Sequence, residues 1–208
     1  MPRTKLPLLA AFVAGLLAVA LAAGCGDDDH ADSAETDGAF MAEMTMHHEA
    51  AIDMAEMAQD QAQHPQIRDL GDGIIATQSD EIDQMEAMHN QMFGESVHMS
   101  DHGSLGMAAH EMGMDMEPTD LDGARPFDRA FIDAMIPHHQ GAIRMARVEL
   151  TEGSDPQVQE LAQEIIEAQS REIARMNAWR KRWYGASSPA GGVPEEDEAM
   201  PSHYSMGH

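Results

Sequence analysis

Cysteine is almost absent from this chain. Cys25 is the only one among 208 residues, so no intrachain disulfide can form and no thiolate cluster can hold a metal. Aromatics are scarce at 4%. Basic residues are few. Twelve Lys and Arg face 37 Asp and Glu, for a formal charge of −25. Setting aside Arg3 and Lys5, 10 − 37 gives −27. Nucleic acid is excluded as a partner on that ground, because phosphate neutralisation by Lys and Arg supplies most of such binding. The acidity keeps a protein soluble and raises the local concentration of cations. No glycine-rich phosphate loop and no serine nucleophile elbow is present.

One long apolar run exists, and it lies at the start. Arg3 and Lys5 precede Leu6 to Ala23, and Ala22-Ala23-Gly24-Cys25 closes the run with small residues. This is the layout of an export signal over 1–24. Cys25 directly after small residues is similar to the lipobox of bacterial lipoproteins, in which that Cys is lipidated. The expectation is an exported protein anchored to the membrane through a lipid at Cys25. An uncleaved apolar anchor of about 18 residues is the alternative.

Methionine is abundant, with 19 in the chain. It serves as a flexible core filler and as a soft thioether ligand. Its placement is informative, because it falls within a repeat. Phe40, Met44, His47, His48, Ala51, Ile52, Met54 and Ala55 recur 91 residues later as Phe131, Met135, His138, His139, Ala142, Ile143, Met145 and Ala146. The register holds without a gap to Gly94 and Gly185, with 20 of 55 positions identical. Gln78, Ser79, Glu81, Ile82 and Met85 likewise recur as Gln169, Ser170, Glu172, Ile173 and Met176.

Each copy carries apolar residues at helical spacing on both sides of a break. The breaks are Gln63-His64-Pro65 and Gly153-Ser154-Asp155-Pro156, and Asp155 with Pro156 suits a helix start. Each copy is therefore a helical hairpin, and one hairpin cannot bury its own stripes. Two packed together give an all-α four-helix bundle with an approximate twofold axis. The expected organisation is a tether over 25–36, hairpins over 37–94 and 126–185, a flexible Met- and His-rich insert over 95–125, and a disordered tail over 186–208.

Counting about 16 residues either way from the first turn brings His47 and His48 level with Gln78 and Glu81. About 20 residues either way brings Met44 level with Met85. The second copy does the same for His138, His139, Gln169 and Glu172, and for Met135 and Met176. Adjacent helical residues diverge by about 100°, so one His of each pair faces its own hairpin and the other faces the second repeat. A buried Glu needs a partner. Glu81 and Glu172 therefore orient a metal-binding His, ligate metal directly, or bond a His with no metal present. Met54 and Met145 read as core. Pro137 in the second copy removes a helical bond, frees the carbonyl near Asp133 and re-aims its His pair. Repeat one has Met46 there. In the insert, His110, Met112, Met114 and Met116 put thioethers and imidazole on a segment without core periodicity. Such donors favour Cu(I), while imidazole also accepts Cu(II) or Zn.

The motif Phe-x-x-x-Met-x-x-His-His-x-x-Ala-Ile-x-Met-Ala, followed by Gln-x-x-Glu-Ile-x-x-Met, resembles the bacterial family called domain of unknown function 305. The resemblance spans 40–185. Repeat one departs from it at Met46 and Ala50. The resemblance implies a ferritin-like four-helix fold and an exported location, and copper binding and tolerance as in some members. The leading expectation is a non-enzymatic, extracytoplasmic copper-binding protein that buffers or delivers copper, with room for a homo-oligomer. A di-iron or di-manganese oxidase is the first alternative. The predicted layer offers only Glu81 and Glu172 and no Glu-x-x-His, whereas such bundles use four carboxylates, two of them within Glu-x-x-His motifs. A metal-free interaction module is the second.

Overall fold

A computed structural model describes residues 27–99, 103–115 and 118–195. The export signal, Cys25, His102, Met116 and the tail beyond 195 lie outside the described residues. Four helices form the body: α1 (Asp27–Gln61), α2 (Pro65–Phe93), α3 (Phe127–Glu152) and α4 (Pro156–Tyr184). Helices α1 and α2 pack as one hairpin, α3 and α4 as the other, and α1 crosses α3 to join them. The fold is an all-α four-helix bundle. Among the described residues, no helix is long and apolar enough to cross a membrane.

The helix ends follow local chemistry. Pro65 and Pro156 open α2 and α4, where a missing N–H costs nothing. Asp155 caps α4 by accepting from the backbone N–H of Gln157 and Val158. Gly94 and Gly185 close α2 and α4 in the left-handed conformation, at φ 77° and 87°.

The two hairpins also cap each other's turns. Asp37, near the start of the buried part of α1, accepts from Ser154 N, Ser154 Oγ and Asp155 N in the α3–α4 turn. Asp128 on α3 accepts from Gln63 N, His64 N and His64 Nδ1 in the α1–α2 turn. The two aspartates are 91 residues apart, so the repeat extends three residues upstream of Phe40. This reciprocal capping fixes the height of each hairpin against the other.

The core divides into two apolar clusters related by the repeat. One holds Met44, Met85 and Met145 with Phe40 and Ile165. The other holds Met135, Met176 and Met54 with Phe131 and Ile74. All six methionines are buried. Met54 and Met145 are core residues, as their spacing indicated.

Three segments depart from the expected organisation. Helix α1 begins at Asp27, inside the stretch expected as a tether. The insert is packed where it is described. Val97, Leu105 and Met107 are buried in the cluster of Met44, because an apolar residue that reaches a groove is buried even without periodicity. The first part of the tail also folds back. Gln140 donates to the carbonyls of Ala190 and Gly192, Arg147 to Pro194 and Glu195, and Arg180 to Ala186 and Ser187. Side-chain donors on α3 and α4 satisfy backbone carbonyls there, a signal that hydrophobic periodicity does not carry.

Candidate metal centre

The four histidines meet at the crossing of α1 and α3. His47 and His138 lie ring to ring, with centroids 3.7 Å apart and planes tilted by 38°. The rings of His47 and His48 are 6.4 Å apart, so the tandem pair diverges. His48 Nε2 stands 2.8 Å from Glu81 Oε2, and His139 Nε2 stands 2.7 Å from Glu172 Oε2. One His of each pair thus faces its own hairpin partner while the other faces the second repeat. The helical 100° step dictates that division.

Burial decides the charge of this cluster. All four rings are 2% exposed or less. Burial lowers the pKa of His47 to about 3, with His48 beside it adding to the effect. Burial likewise lowers His48 to about 3, and pushes His138 well below its ordinary value. The Glu81 carboxyl is pushed up to about 7, first by burial and then by Glu172. His47, His48 and His138 are therefore neutral near pH 7, the form in which imidazole ligates a metal.

Hydrogen bonds then choose the tautomers. His47 Nε2 lies 2.9 Å from the Met112 carbonyl, so it carries the hydrogen and donates. Its Nδ1 keeps a lone pair and has no partner. With Glu81 ionised, His48 Nε2–H donates to it and Nδ1 is again left with a lone pair. His139 Nε2 meets Glu172 in the same geometry, and its Nδ1 is likewise without a partner. The Nδ1 atoms of His47, His48 and His139, and both ring nitrogens of His138, are buried without a hydrogen-bond partner. Such orphans cost about 1–3 kcal/mol each unless something satisfies them.

Among the described residues, no three side chains drawn from His, Cys, Asp and Glu converge closely enough to hold a metal. An ion at this centre would need thioethers, or few ligands. Met44 and Met85 lie in one flanking cluster, and Met135 and Met176 in the other. Thr45 Oγ1 approaches Met85 Sδ at 3.9 Å, which ties that thioether to the His layer of α1.

The insert contributes differently from its sequence pattern. Met112 offers its carbonyl to His47, while its side chain packs against the cluster of Met44. His110 is exposed and Met114 half-buried. The strap that carries them sits on α3 by glycine contact. A Cβ on Gly141 would overlap the Met112 carbonyl and stand 2.7 Å from Gly113 N. Gly113, at φ 70°, would place a Cβ 2.8 Å from His138 Cα. Arg144 secures the strap by donating to the Glu111 carbonyl at 3.1 Å. Helix α3 runs through Pro137 unbroken, and the strap packs against the Pro137 carbonyl.

Between α2 and α4 the layer opens into a cavity of about 340 Å³. Gln78, Gln169, Glu81 and Glu172 line it in matching pairs, joined by Arg171 and Arg175. The sequence placed the first four in one layer. It gave no signal for the two arginines, which replace Asp80 and Gln84 of repeat one.

These features define a class: a four-helix bundle of two repeated hairpins that buries neutral imidazoles between thioether clusters. The chain belongs to the DUF305 family (domain of unknown function), whose model matches residues 37–180 and 128–207. Solved structures agree. CopM in its Cu(I)-bound form is 40% identical, with TM-score 0.62, covering 72% of this chain and 98% of that one. CopM has also been solved in Cu(II)-bound and Ag-bound forms. A DUF305 protein from Streptomyces coelicolor, described as secreted, is 25% identical with TM-score 0.66, covering 76% of this chain and 98% of that one. Uncharacterized protein L153 of Acanthamoeba polyphaga mimivirus is 39% identical over 51 residues, 24% of this chain. The match spans about a third of that relative's length, 34%.

Proposed function

We propose that this protein binds copper outside the cytoplasm, for buffering, tolerance or delivery. The observation that carries the reading is the set of four buried imidazoles whose Nδ1 atoms have no partner. His47, His48, His138 and His139 are the nitrogen ligands. Met44, Met85, Met135 and Met176 supply soft sulfur from the flanking clusters. Glu81 and Glu172 hold His48 and His139 through Nε2, which orients Nδ1 and strengthens it as a donor. Imidazole with thioether in a dry core favours Cu(I), while Cu(II) is open to exposed imidazole such as His110. The copper-bound forms of CopM support this choice of metal.

The oxidase alternative is disfavoured by the donor set. Glu81 and Glu172 are the carboxylates of this layer, and each is already bonded to a His. Export is part of the reading, supported by the secreted description of the Streptomyces relative. Lipidation at Cys25 places the bundle on the extracytoplasmic face of the membrane.

Native mass spectrometry with Cu(I) under reducing conditions tests the centre. The wild-type protein should hold copper. Replacing all four histidines by Ala should remove the tightly held ion and leave weaker binding by the strap. A wild-type protein that stays apo, with no copper-induced rise in melting temperature, would sink the reading. Metabolic labelling with a fatty acid, compared between wild type and Cys25→Ser, tests the anchor.

A further inference from the structure

The His layer is enclosed on the side where α1 meets α3. His47 and His138 are in ring contact there, and the strap at Met112 and Gly113 lies over His47 and Gly141. The cavity between α2 and α4 is on the other side, and its inner wall is made of the two carboxylates that touch His48 and His139. We propose that this cavity is the entrance by which a copper-type cation reaches the histidines, with Gln78, Gln169, Glu81 and Glu172 as its transient oxygen ligands. The proposal rests on the copper-binding reading above.

Three observations carry it. First, Gln78 and Gln169 are 3% and 2% exposed, and the Oε1 of each has no protein partner. Buried amide oxygens without partners need water or a ligand. Second, the volume of about 340 Å³ has room for roughly ten waters at about 30 Å³ each, so a partly hydrated cation fits. Third, the wall is graded. A cation bound at Glu81 is one hydrogen bond, 2.8 Å, from the His48 ring. The amide oxygens and carboxylates replace its water, and the imidazoles and thioethers of the dry core then take over.

The arginines give the entrance a direction. Arg175 Nη2 lies 3.2 Å from Glu172 Oε1, and Arg171 Nη1 lies 3.7 Å from Glu167 Oε2. Glu172 is thereby partly neutralised. Glu81 has no arginine in salt-bridge reach among the described residues, so a cation on the α2 side meets no competing side-chain cation there.

The test separates rate from equilibrium. Thr77 and Ala168 line the cavity and neither is in the core, whereas the exposed Ala76 is not part of its lining. Cu(I) presented as a chromogenic chelator complex, and Ag(I) alone, serve as probes. The double variant Thr77→Phe, Ala168→Phe should load at least 10-fold more slowly, with the wild-type final stoichiometry. Ala76→Phe should load at the wild-type rate. Gln78→Leu with Gln169→Leu should also slow loading, because it keeps the volume and removes the oxygens. Loading of the plugged variant at the wild-type rate, with copper bound, overturns the entrance and leaves the centre standing. A wild-type protein that takes up neither probe overturns both.

Discussion

Replacing Gly141 by Ala puts two opposed effects at one position. In an exposed helix interior the change would stabilise by about 1 kcal/mol through propensity. Here the new Cβ would overlap the Met112 carbonyl and stand 2.7 Å from Gly113 N. Backbone cannot yield as a side chain tip can, so the strap must lift. Lifting it breaks the His47–Met112 bond of 2.9 Å and the Arg144–Glu111 bond of 3.1 Å, about 1 kcal/mol each. It also loosens Leu105 and Met107, whose full exposure would cost about 1.5–3 kcal/mol apiece. With partial loosening, the net expectation is a destabilisation of about 1–3 kcal/mol. Urea unfolding measures it, and hydrogen exchange locates it. The amides of Glu111, Met112 and Met114 bond to carbonyls within the strap and should lose protection first. The control is Ala50→Gly, 91 residues earlier on α1, where the ordinary cost of a helical glycine, about 1 kcal/mol, should appear. A Gly141→Ala protein that gains about 1 kcal/mol and keeps strap protection would refute the docking.

Other consequences concern separate parts of the bundle. Glu149 is fully buried, neither carboxyl oxygen has a well-formed hydrogen-bond partner, and burial with the nearby Asp37 pushes its pKa up to about 9. The native state therefore holds a proton that the unfolded chain releases near its ordinary value of 4.5. This group's contribution to stability is full below about 4.5 and is lost as pH rises through about 9. Glu149→Gln should flatten the decline measured by urea unfolding between pH 7 and 9, and an unchanged slope would contradict the assignment. Asp128→Ala should cost about 1–2 kcal/mol, because Gln63 N and His64 N lose their acceptor. An unchanged urea midpoint would rule out that capping role. Met44→Leu with Met135→Leu should cost less than about 1.5 kcal/mol each, since volume is kept. Cu(I) affinity in chelator competition should nevertheless fall at least 10-fold, and an unchanged affinity would remove these thioethers from the ligand set.

The bundle and its layer could be read from the chain because a gapless 91-residue repeat carries both. Two stripes on two helices leave one way to bury them, and antiparallel counting brings Glu81 level with His47 and His48. What escaped reading was not periodic. The strap docks through the absence of a side chain at Gly141 and Gly113, and the tail docks through side-chain donors on its backbone carbonyls. The reciprocal caps were within reach, since Asp37 and Asp128 keep the same register just upstream of Phe40. The arginines at the cavity mouth were not, because repeat one has no counterpart to them.

The docking glycine Gly141, the tail's donors and the two arginines all belong to the second copy, and that gives the centre its two unlike halves. Gly141 stands where repeat one has Ala50, and Pro137 stands where it has Met46. Only the second copy can therefore admit the strap's backbone beside its His pair. The strap in turn bonds His47, which belongs to the first copy, and leaves both ring nitrogens of His138 without a partner. A symmetric bundle would hold its four imidazoles alike. This one fixes the tautomer of His47 and leaves that of His138 open. On the copper-binding reading, His47, His48 and His139 are held through Nε2 by Met112, Glu81 and Glu172, and His138 is the ring whose two nitrogens both remain open to the ion.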